Sequence, residues 1–134
     1  LVPYDGSESS KKTLQRTLAL KKSTRTIITL LYVIPRYEEM LGFFRTNTIR
    51  EKLYEEAQKI VLEGENLAYN EGHLISTIVE EGNPADKIYE IAKGLGVDLI
   101  AMGSHGWRGV DKAILGSTTE RVIAHSSVPV LVVR

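Results

Sequence analysis

The chain has 134 residues, of which 43% are hydrophobic and 25% are charged, and it contains no cysteine. This length fits one domain with its own core, and the composition is typical of a soluble globular protein rather than a disordered one. The 17 basic and 17 acidic residues give a formal net charge of zero, which argues against binding nucleic acid or an anionic membrane through long-range attraction. The lack of cysteine excludes disulfides and thiolate zinc sites and fits a cytoplasmic protein. No segment approaches the roughly 20 apolar residues of a membrane-spanning helix.

Short apolar runs rich in β-branched residues recur along the chain and predict strands. The first occupies only residues 1–2, and because the sequence opens without a methionine we expect a few N-terminal residues to be missing from it. The others cover residues 26–34, 74–81, 97–102 and 129–133. They lack polar alternation, which is typical of strands that are buried on both faces in a parallel sheet.

Segments with the three-to-four spacing of amphipathic helices lie between these runs. The predicted helices cover residues 9–22, 48–71, 84–94 and 117–125. Ser7 or Ser9 can cap the first helix, while Gly72 and Gly94 are placed to end the second and the third. The repeated alternation of strand and helix predicts an α/β fold with a parallel sheet, formed by residues 1–134 as a single domain.

The connection at residues 36–48 is longer than usual and rich in large apolar residues, among them Met40, Phe43 and Phe44. A segment of this kind is either a mobile flap or partner surface, or it folds back onto the core. The sequence leaves both interpretations open.

The stretch from Gly103 to Thr118 follows the fourth predicted strand and contains four glycines. Ligands of parallel sheets bind beyond the carboxyl ends of strands, and glycines let them approach backbone N–H groups closely. Ser117 stands where the next helix begins, and the free amides and dipole of a helix start attract anions. The alternative is structural: Ser117 and Glu120 form a capping box, and the glycines only permit a wide turn. The chain has no Walker A motif, and this stretch lacks the Gly-x-Gly of a dinucleotide fingerprint and follows the fourth strand rather than the first.

A second candidate site is "PYDGS" at residues 3–7, directly after the first strand. The Asp5 carboxylate can accept hydrogen bonds from ribose hydroxyls, while Gly6 permits the turn. The alternative is a turn in which Asp5 and Ser7 serve only the backbone.

The glycine spacing resembles that of the ATP-binding universal stress proteins. Gly103, Gly106 and Gly116-Ser117 reproduce the family pattern G-2x-G-9x-G-[S/T], and similar segments span the chain: "LVPYDGS", "LLYVI", "EGNPADKI", "DLIAMGSHG" and "SVPVLVV". The resemblance implies a three-layer sandwich with a five-stranded parallel sheet in the order 3-2-1-4-5, the Rossmann-like fold of adenine nucleotide alpha hydrolases. In that order the first and fourth strands are neighbours, so both candidate loops border one crevice.

The resemblance also implies an ATP site. Its adenine and ribose end would be formed by Pro3, Asp5 (at the ribose), Val33 (through its backbone N–H and C=O), Met102 and Gly103. The phosphates would be held by Gly106, Gly116, Ser117 and Thr118. A divalent ion, Mg²⁺ or Mn²⁺, would be carried by these phosphates and not by a protein metal site.

We identify no catalytic residue for ATP hydrolysis. His105 can donate to a phosphate oxygen, although an exposed loop histidine is the simpler interpretation. Phosphoryl transfer needs a positioned nucleophile and stabilisation of charge. We therefore predict an ATP-binding stress-response or signalling module with slow hydrolysis or none. The alternatives are a slow ATPase or phosphoryl or nucleotidyl transferase that uses the same pocket, and a nucleotide-free interaction protein.

Residues 129–133 would form an edge strand that is apolar and lacks the charges that discourage pairing. Pro129 is harmless at the start of such a strand. Two copies joined at this edge would continue the sheet across a two-fold axis, and the resemblance implies a homodimer of this kind. A further protein partner remains open.

Overall fold

The computed structural model describes residues 1–21, 26–36, 47–105 and 115–134. Its strands are β1 (Val2–Pro3), β2 (Thr29–Pro35), β3 (Ser76–Gly82), β4 (Ile100–Gly103) and β5 (Val130–Val133). Its helices are α1 (Glu8–Leu20), α2 (Asn47–Asn70), α3 (Pro84–Leu95) and α4 (Ser117–His125). The predicted alternation of strands and helices is confirmed, with bounds that differ by a few residues. The apolar connection at residues 36–48, with Met40, Phe43 and Phe44, lies for the most part outside the described residues, so neither of its two interpretations is tested.

The described strands form two parallel sheets, one in the order β1-β2-β3 and the other pairing β4 with β5. The β2–β3 register runs from Thr29 opposite Ser76 to Pro35 opposite Gly82. In the second sheet, Ile100 lies opposite Val130. The parallel α/β class is therefore confirmed, whereas strand pairing alone does not establish the single five-stranded order.

Two backbone hydrogen bonds link the two sheets. The Leu1 nitrogen donates to the Leu99 oxygen at 2.8 Å, and the Ala101 nitrogen donates to the Leu1 oxygen at 2.9 Å. This is the pattern of a parallel ladder around one residue. The next β1 residue that faces β4 is Pro3, which has no N–H, so it cannot donate the ladder hydrogen bond at that position.

The helices cover both faces of the strands. One core cluster lies on the side of α1 and α2 and comprises Val2, Tyr4, Leu14, Leu18, Ile28, Leu30, Val61, Ala68 and Ala101. The other lies on the side of α3 and α4 and comprises Leu1, Leu31, Ala85, Ile88, Ala92, Ile100, Met102 and Val122. Consecutive strand residues fall into opposite clusters because side chains alternate along a strand. Burial on both faces, expected from the unbroken apolar runs, is confirmed.

Helix α2 lies close to the sheet at Gly64. A Cβ atom there would come within 2.6 Å of Leu30 Cδ1 and 3.3 Å of Tyr4 Cε1. Glycine lowers helix propensity by about 1 kcal/mol relative to alanine, so its place inside a helix reflects this close packing. The sequence pattern alone gave no sign of it.

The Tyr4 hydroxyl is enclosed by the same packing. Tyr4 is 2% exposed, and its oxygen has no hydrogen-bond partner among the residues that the structure describes. Burial, followed by the negative charges of Glu63, Asp5 and Glu8, raises the pKa of Tyr4 to about 12. A buried hydroxyl without a partner costs about 1–3 kcal/mol, so Tyr4 stabilises the fold through its ring.

The helix ends follow local rules, with one correction. Ser7 caps α1, because its side chain accepts a hydrogen bond from the Ser10 nitrogen at 3.2 Å. The third helix does not end at Gly94 as predicted: it continues to Leu95, and Gly96 takes the left-handed conformation, with φ of 60°. Across the described ranges, none of the helices combines the length and apolar content that crossing a bilayer requires.

Candidate functional site

The first turn of α1, which follows the loop after β1, is in contact with the end of β4. A Cβ atom on Gly103 would overlap Ser9 Oγ and lie 3.1 Å from Ser9 Cβ and 3.2 Å from the Ser9 carbonyl carbon. Because the first turn of α1 leaves no room for a side chain, the fold itself requires glycine at this position. The contact places the helix that follows the first candidate loop beside Gly103, where the second candidate loop begins.

The loop after β1 holds the Asp5 carboxylate in place. Asp5 Oδ1 accepts hydrogen bonds from the Ser7 nitrogen at 3.0 Å and from Ser7 Oγ at 2.5 Å. Gly6, between them, has a φ of 78°, which favours glycine. The turn and the cap of the structural interpretation are therefore both present, and the half-buried carboxylate is fixed at the carboxyl end of β1.

The backbone of Val33 faces the side of the sheet on which β1 has already ended. The Leu31 oxygen accepts a hydrogen bond from the Tyr4 nitrogen at 2.8 Å, so the peptide groups of Leu31 face β1. Alternate residues of a strand face the same side, and Val33 lies two residues further along. The last β1 pair is Pro3 opposite Leu31. The N–H and C=O of Val33 therefore point toward the loop that follows β1.

Met102 and Pro3 lie at the ends of the two neighbouring strands. The Met102 side chain is 4% exposed and packs in the core cluster beside α3 and α4. Pro3 is half-buried at the last position of β1. The two residues therefore lie near the carboxyl ends of β1 and β4, with the Met102 side chain directed into the core.

Two hydrogen bonds attach the start of α4 to the end of β4. The Gly116 nitrogen donates to the Ser104 oxygen at 2.8 Å, and Thr119 Oγ1 donates to the Gly103 oxygen at 2.9 Å. Thr119 is 3% exposed, so its hydroxyl is committed to this bond. These two hydrogen bonds hold the two ends of the connection between β4 and α4 close together.

No side chain among the described residues caps the first turn of α4. Gly116 is the N-cap residue, with φ of −67° and ψ of 145°, and Ser117 is the first helical residue. The capping box of the alternative interpretation is therefore not formed, since Gly116 and not Ser117 is the N-cap residue. Uncapped N–H groups at a helix start carry a partial positive charge and attract anions.

Gly116 differs from Gly103 in its surroundings. A Cβ atom on Gly116 would meet the Ser104 oxygen at 3.4 Å and His105 Cα at 3.6 Å, which are ordinary contacts. Every residue type can adopt its φ of −67°, so neither the backbone conformation nor the described neighbours require glycine. Ser117 is exposed and Thr118 half-buried in the following turn. Gly106, the remaining glycine of the pattern, lies outside the described residues.

His105 is half-buried, in contrast to the exposed loop histidine of the simpler interpretation. Its Nδ1 lies 2.8 Å from Ser104 Oγ. Its Nε2 is shielded from solvent and has no hydrogen-bond partner among the described residues. The sequence analysis missed the roles of Ser9 and Ser104, because each depends on a contact with a distant part of the chain that no local pattern encodes.

The whole chain, residues 1–134, matches the model of the universal stress protein family. Universal stress protein MJ0531 of Methanocaldococcus jannaschii is 33% identical over 137 residues, covering all of this chain and 80% of the relative. Universal stress protein YxiE of Bacillus subtilis is 32% identical over 143 residues, covering all of this chain and 97% of the relative.

Solved structures agree with this assignment. The structure of MJ0577 from M. jannaschii superposes with a TM-score of 0.86 at 36% identity, covering 98% of this chain and 92% of that one. A universal stress protein in complex with cAMP has a TM-score of 0.74 at 22% identity, covering 99% of this chain and 94% of that one, and supports the fold alone. The chain therefore belongs to the universal stress protein family, as its glycine spacing predicted.

Proposed function

We propose that this chain binds ATP between the loop after β1 and the first turn of α4, and that it serves as a stress-response or signalling module. The observation that carries the proposal is the uncapped start of α4, tied to the end of β4 by the bond from Gly116 to Ser104. Membership of the family and the matching glycine spacing support ATP as the ligand. Residues 1–134 would act as one domain.

The adenosine end of the ligand would lie at the ends of β1 and β2. A backbone N–H and C=O on one residue match the donor and acceptor on the edge of adenine, and Val33 offers both. Asp5, fixed by Ser7, would accept hydrogen bonds from the ribose hydroxyls, with Pro3, Met102 and Gly103 bordering the sugar. This arrangement includes the sheet order 3-2-1-4-5, which the Leu1 hydrogen bonds to Leu99 and Ala101 support.

The phosphates would be held by backbone amides. Gly106, Gly116, Ser117 and Thr118 would surround them, and the dipole of α4 would contribute about half a positive charge. The lack of a Cβ on Gly116 leaves room for a phosphate oxygen to approach the N–H groups. No group of three or more metal-ligating side chains exists among the described residues. The Mg²⁺ or Mn²⁺ that accompanies ATP would therefore be carried by the phosphates.

We propose slow hydrolysis or none. The described side chains in or beside the first turn of α4 are hydroxyls, the exposed Glu120 carboxylate and the His105 imidazole. The Asp5 carboxylate would lie at the ribose end and is engaged by Ser7. Phosphoryl transfer requires an oriented nucleophile and charge stabilisation in line with the leaving group. A slow ATPase or transferase in the same pocket is the alternative, and steady product formation above background would favour it.

The test compares Gly116→Asp with Gly116→Asn by calorimetric titration with Mg·ATP and with adenosine. Both side chains are favoured N-caps, so both variants should keep or gain stability. Because the new cap occupies the amides, Gly116→Asn should weaken ATP binding about fivefold, the equivalent of about 1 kcal/mol. Gly116→Asp adds charge repulsion and should weaken it at least about 100-fold. Adenosine, which lacks phosphates, should bind both variants like the wild type.

Two results would contradict the proposal. One is a wild-type protein that neither binds added ATP nor releases an adenine nucleotide on denaturation. The other is equal ATP binding by the wild type and Gly116→Asp. Competition with cAMP, the ligand of one solved relative, measures the selectivity of the site.

We propose that two copies pair through β5. The Ile100 nitrogen donates to the Pro129 oxygen and the Ser104 nitrogen to the Val133 oxygen, so odd-numbered residues of this segment face β4. The N–H of Val132 then faces outward, and Val132→Pro removes a donor from the outer edge only. Light scattering should give a dimer for the wild type and a monomer for the variant; a wild-type monomer would refute the pairing. The cytoplasmic location stays a prediction.

A further inference from the structure

We propose that Ser104 and His105 form a hydrogen-bonded pair that presents the Nε2–H of the imidazole to a phosphate oxygen of the ligand. The inference rests on the proposed nucleotide site and adds a side-chain donor to its backbone amides. Ser104 sets the tautomer of the histidine, and His105 makes the contact.

The position of Ser104 is fixed on both sides. Its nitrogen donates to the Val133 oxygen at 3.0 Å, and its oxygen accepts from the Gly116 nitrogen at 2.8 Å. The residue is 4% exposed, and its hydroxyl lies 2.8 Å from His105 Nδ1. The imidazole is therefore anchored to a rigid point between β5 and the start of α4.

In the hydrogen bond between Ser104 Oγ and His105 Nδ1, either atom can be the donor. The two arrangements differ in how many buried polar groups lack a partner. If Ser104 donates to Nδ1, the neutral ring carries its proton on Nε2, and only this N–H lacks a partner among the described residues. If Nδ1 donates to Ser104, two groups lack a partner among the described residues: the Ser104 hydroxyl proton and the Nε2 lone pair. Each buried polar group without a partner destabilises the protein, so the first arrangement, with fewer such groups, is the more stable.

The unpaired Nε2–H belongs to a segment adjoining the anion-attracting end of α4. His105 Cα lies 3.6 Å from the point at which a Cβ on Gly116 would stand. The imidazole N–H and the first-turn amides are all donors, and a phosphate oxygen has lone pairs for several of them. An acceptor supplied by the ligand would remove the cost of the unpaired N–H, which makes this donor part of the binding energy.

Two substitutions separate the two ring nitrogens. In His105→Asn the amide stands near Nδ1 and keeps a partner for Ser104, but nothing replaces Nε2. In His105→Gln the amide nitrogen reaches the position of Nε2 and keeps a donor there. His105→Asn should weaken ATP binding about tenfold, the equivalent of roughly 1.4 kcal/mol, while His105→Gln stays within about threefold of the wild type. Both variants should bind adenosine like the wild type, and thermal unfolding checks that they are folded.

A nitrogen-15 spectrum of histidine-labelled wild type tests the tautomer without any variant. The His105 signals should report a proton on Nε2, and the Nε2 signal should move on addition of ATP and not of adenosine. Ser104→Ala should remove the preference for this tautomer. Equal ATP affinity of His105→Asn and the wild type, or a proton on Nδ1, overturns the inference and leaves the proposed function standing. A wild type that binds no ATP overturns the proposed function itself.

Discussion

Gly103 and Gly116 belong to one spacing pattern, yet their surroundings differ. At Gly103 a side chain would overlap Ser9 Oγ in the first turn of α1, so the packing of the fold leaves no alternative. At Gly116 a Cβ would make ordinary contacts, and φ of −67° suits any residue. The pattern therefore combines one glycine that packing against α1 constrains with one that the described structure does not require. The two can be separated by measuring stability and binding on the same variants.

The largest expected effect is on stability at Gly103. Gly103→Ala forces α1 away from β4 and should lower the free energy of unfolding by about 3 kcal/mol, the upper range for overpacking. Gly116→Ala should change it by less than about 1 kcal/mol, because its Cβ has room. Urea unfolding followed by circular dichroism measures both. Similar losses in the two variants would mean that the difference between the glycines is not real.

A smaller effect on stability is expected at Thr119. Its hydroxyl donates to the Gly103 oxygen and so attaches α4, which begins after Gly116, to the end of β4. Thr119→Val keeps the shape of the side chain and leaves a buried carbonyl without its donor, a loss of about 2 kcal/mol. Thr119→Ser keeps the donor and loses one methyl group, about 0.8 kcal/mol. Chemical denaturation compares the two. If serine is as damaging as valine, the methyl group and not the hydrogen bond holds α4 in place.

The smallest expected effect on stability concerns a buried polar group, the Tyr4 hydroxyl. The Tyr4 hydroxyl lies in the core with no partner among the described residues, so Tyr4→Phe should stabilise the protein by about 1 kcal/mol at neutral pH. Because the pKa of Tyr4 is raised from 10.0 to about 12, the folded state keeps this proton longer than the unfolded state. Stability of the wild type should therefore fall as the pH rises from 10 toward 12, and Tyr4→Phe should lose this part of the decline. Unfolding curves of both proteins at pH 8 and pH 11 test this, and identical pH dependence would contradict it.

The fold was predictable where local signals are strong. The unbroken apolar runs indicated strands buried on both faces, and the two core clusters bear this out. Predictions failed at ends that depend on backbone bonds. The run at 97–102 begins as a helix end, because the Val97 nitrogen donates to the Ala92 oxygen at 3.1 Å, and so β4 starts only at Ile100.

The candidate site was predictable in part. The residue types after β1 and β4 pointed to the two loops, and the expected strand order placed both beside one crevice. The capping box is not formed because the bond from the Gly116 nitrogen to the Ser104 oxygen fixes the helix start one residue earlier. The contact between Ser9 and Gly103 joins residues far apart in sequence, and the orientation of His105 depends on a buried serine. Neither leaves a periodic signal that a single sequence can reveal.

The close packing of Gly103 against α1 has a consequence for how members of this family diverge in sequence. Family members that no longer bind a nucleotide do not need the residues that contact it, but their helices must still pack against the sheet. We expect such members to retain glycine where Gly103 stands and to accept other residues in place of Gly116. Loss of the second glycine alone would then mark proteins that keep the architecture and have given up the ligand.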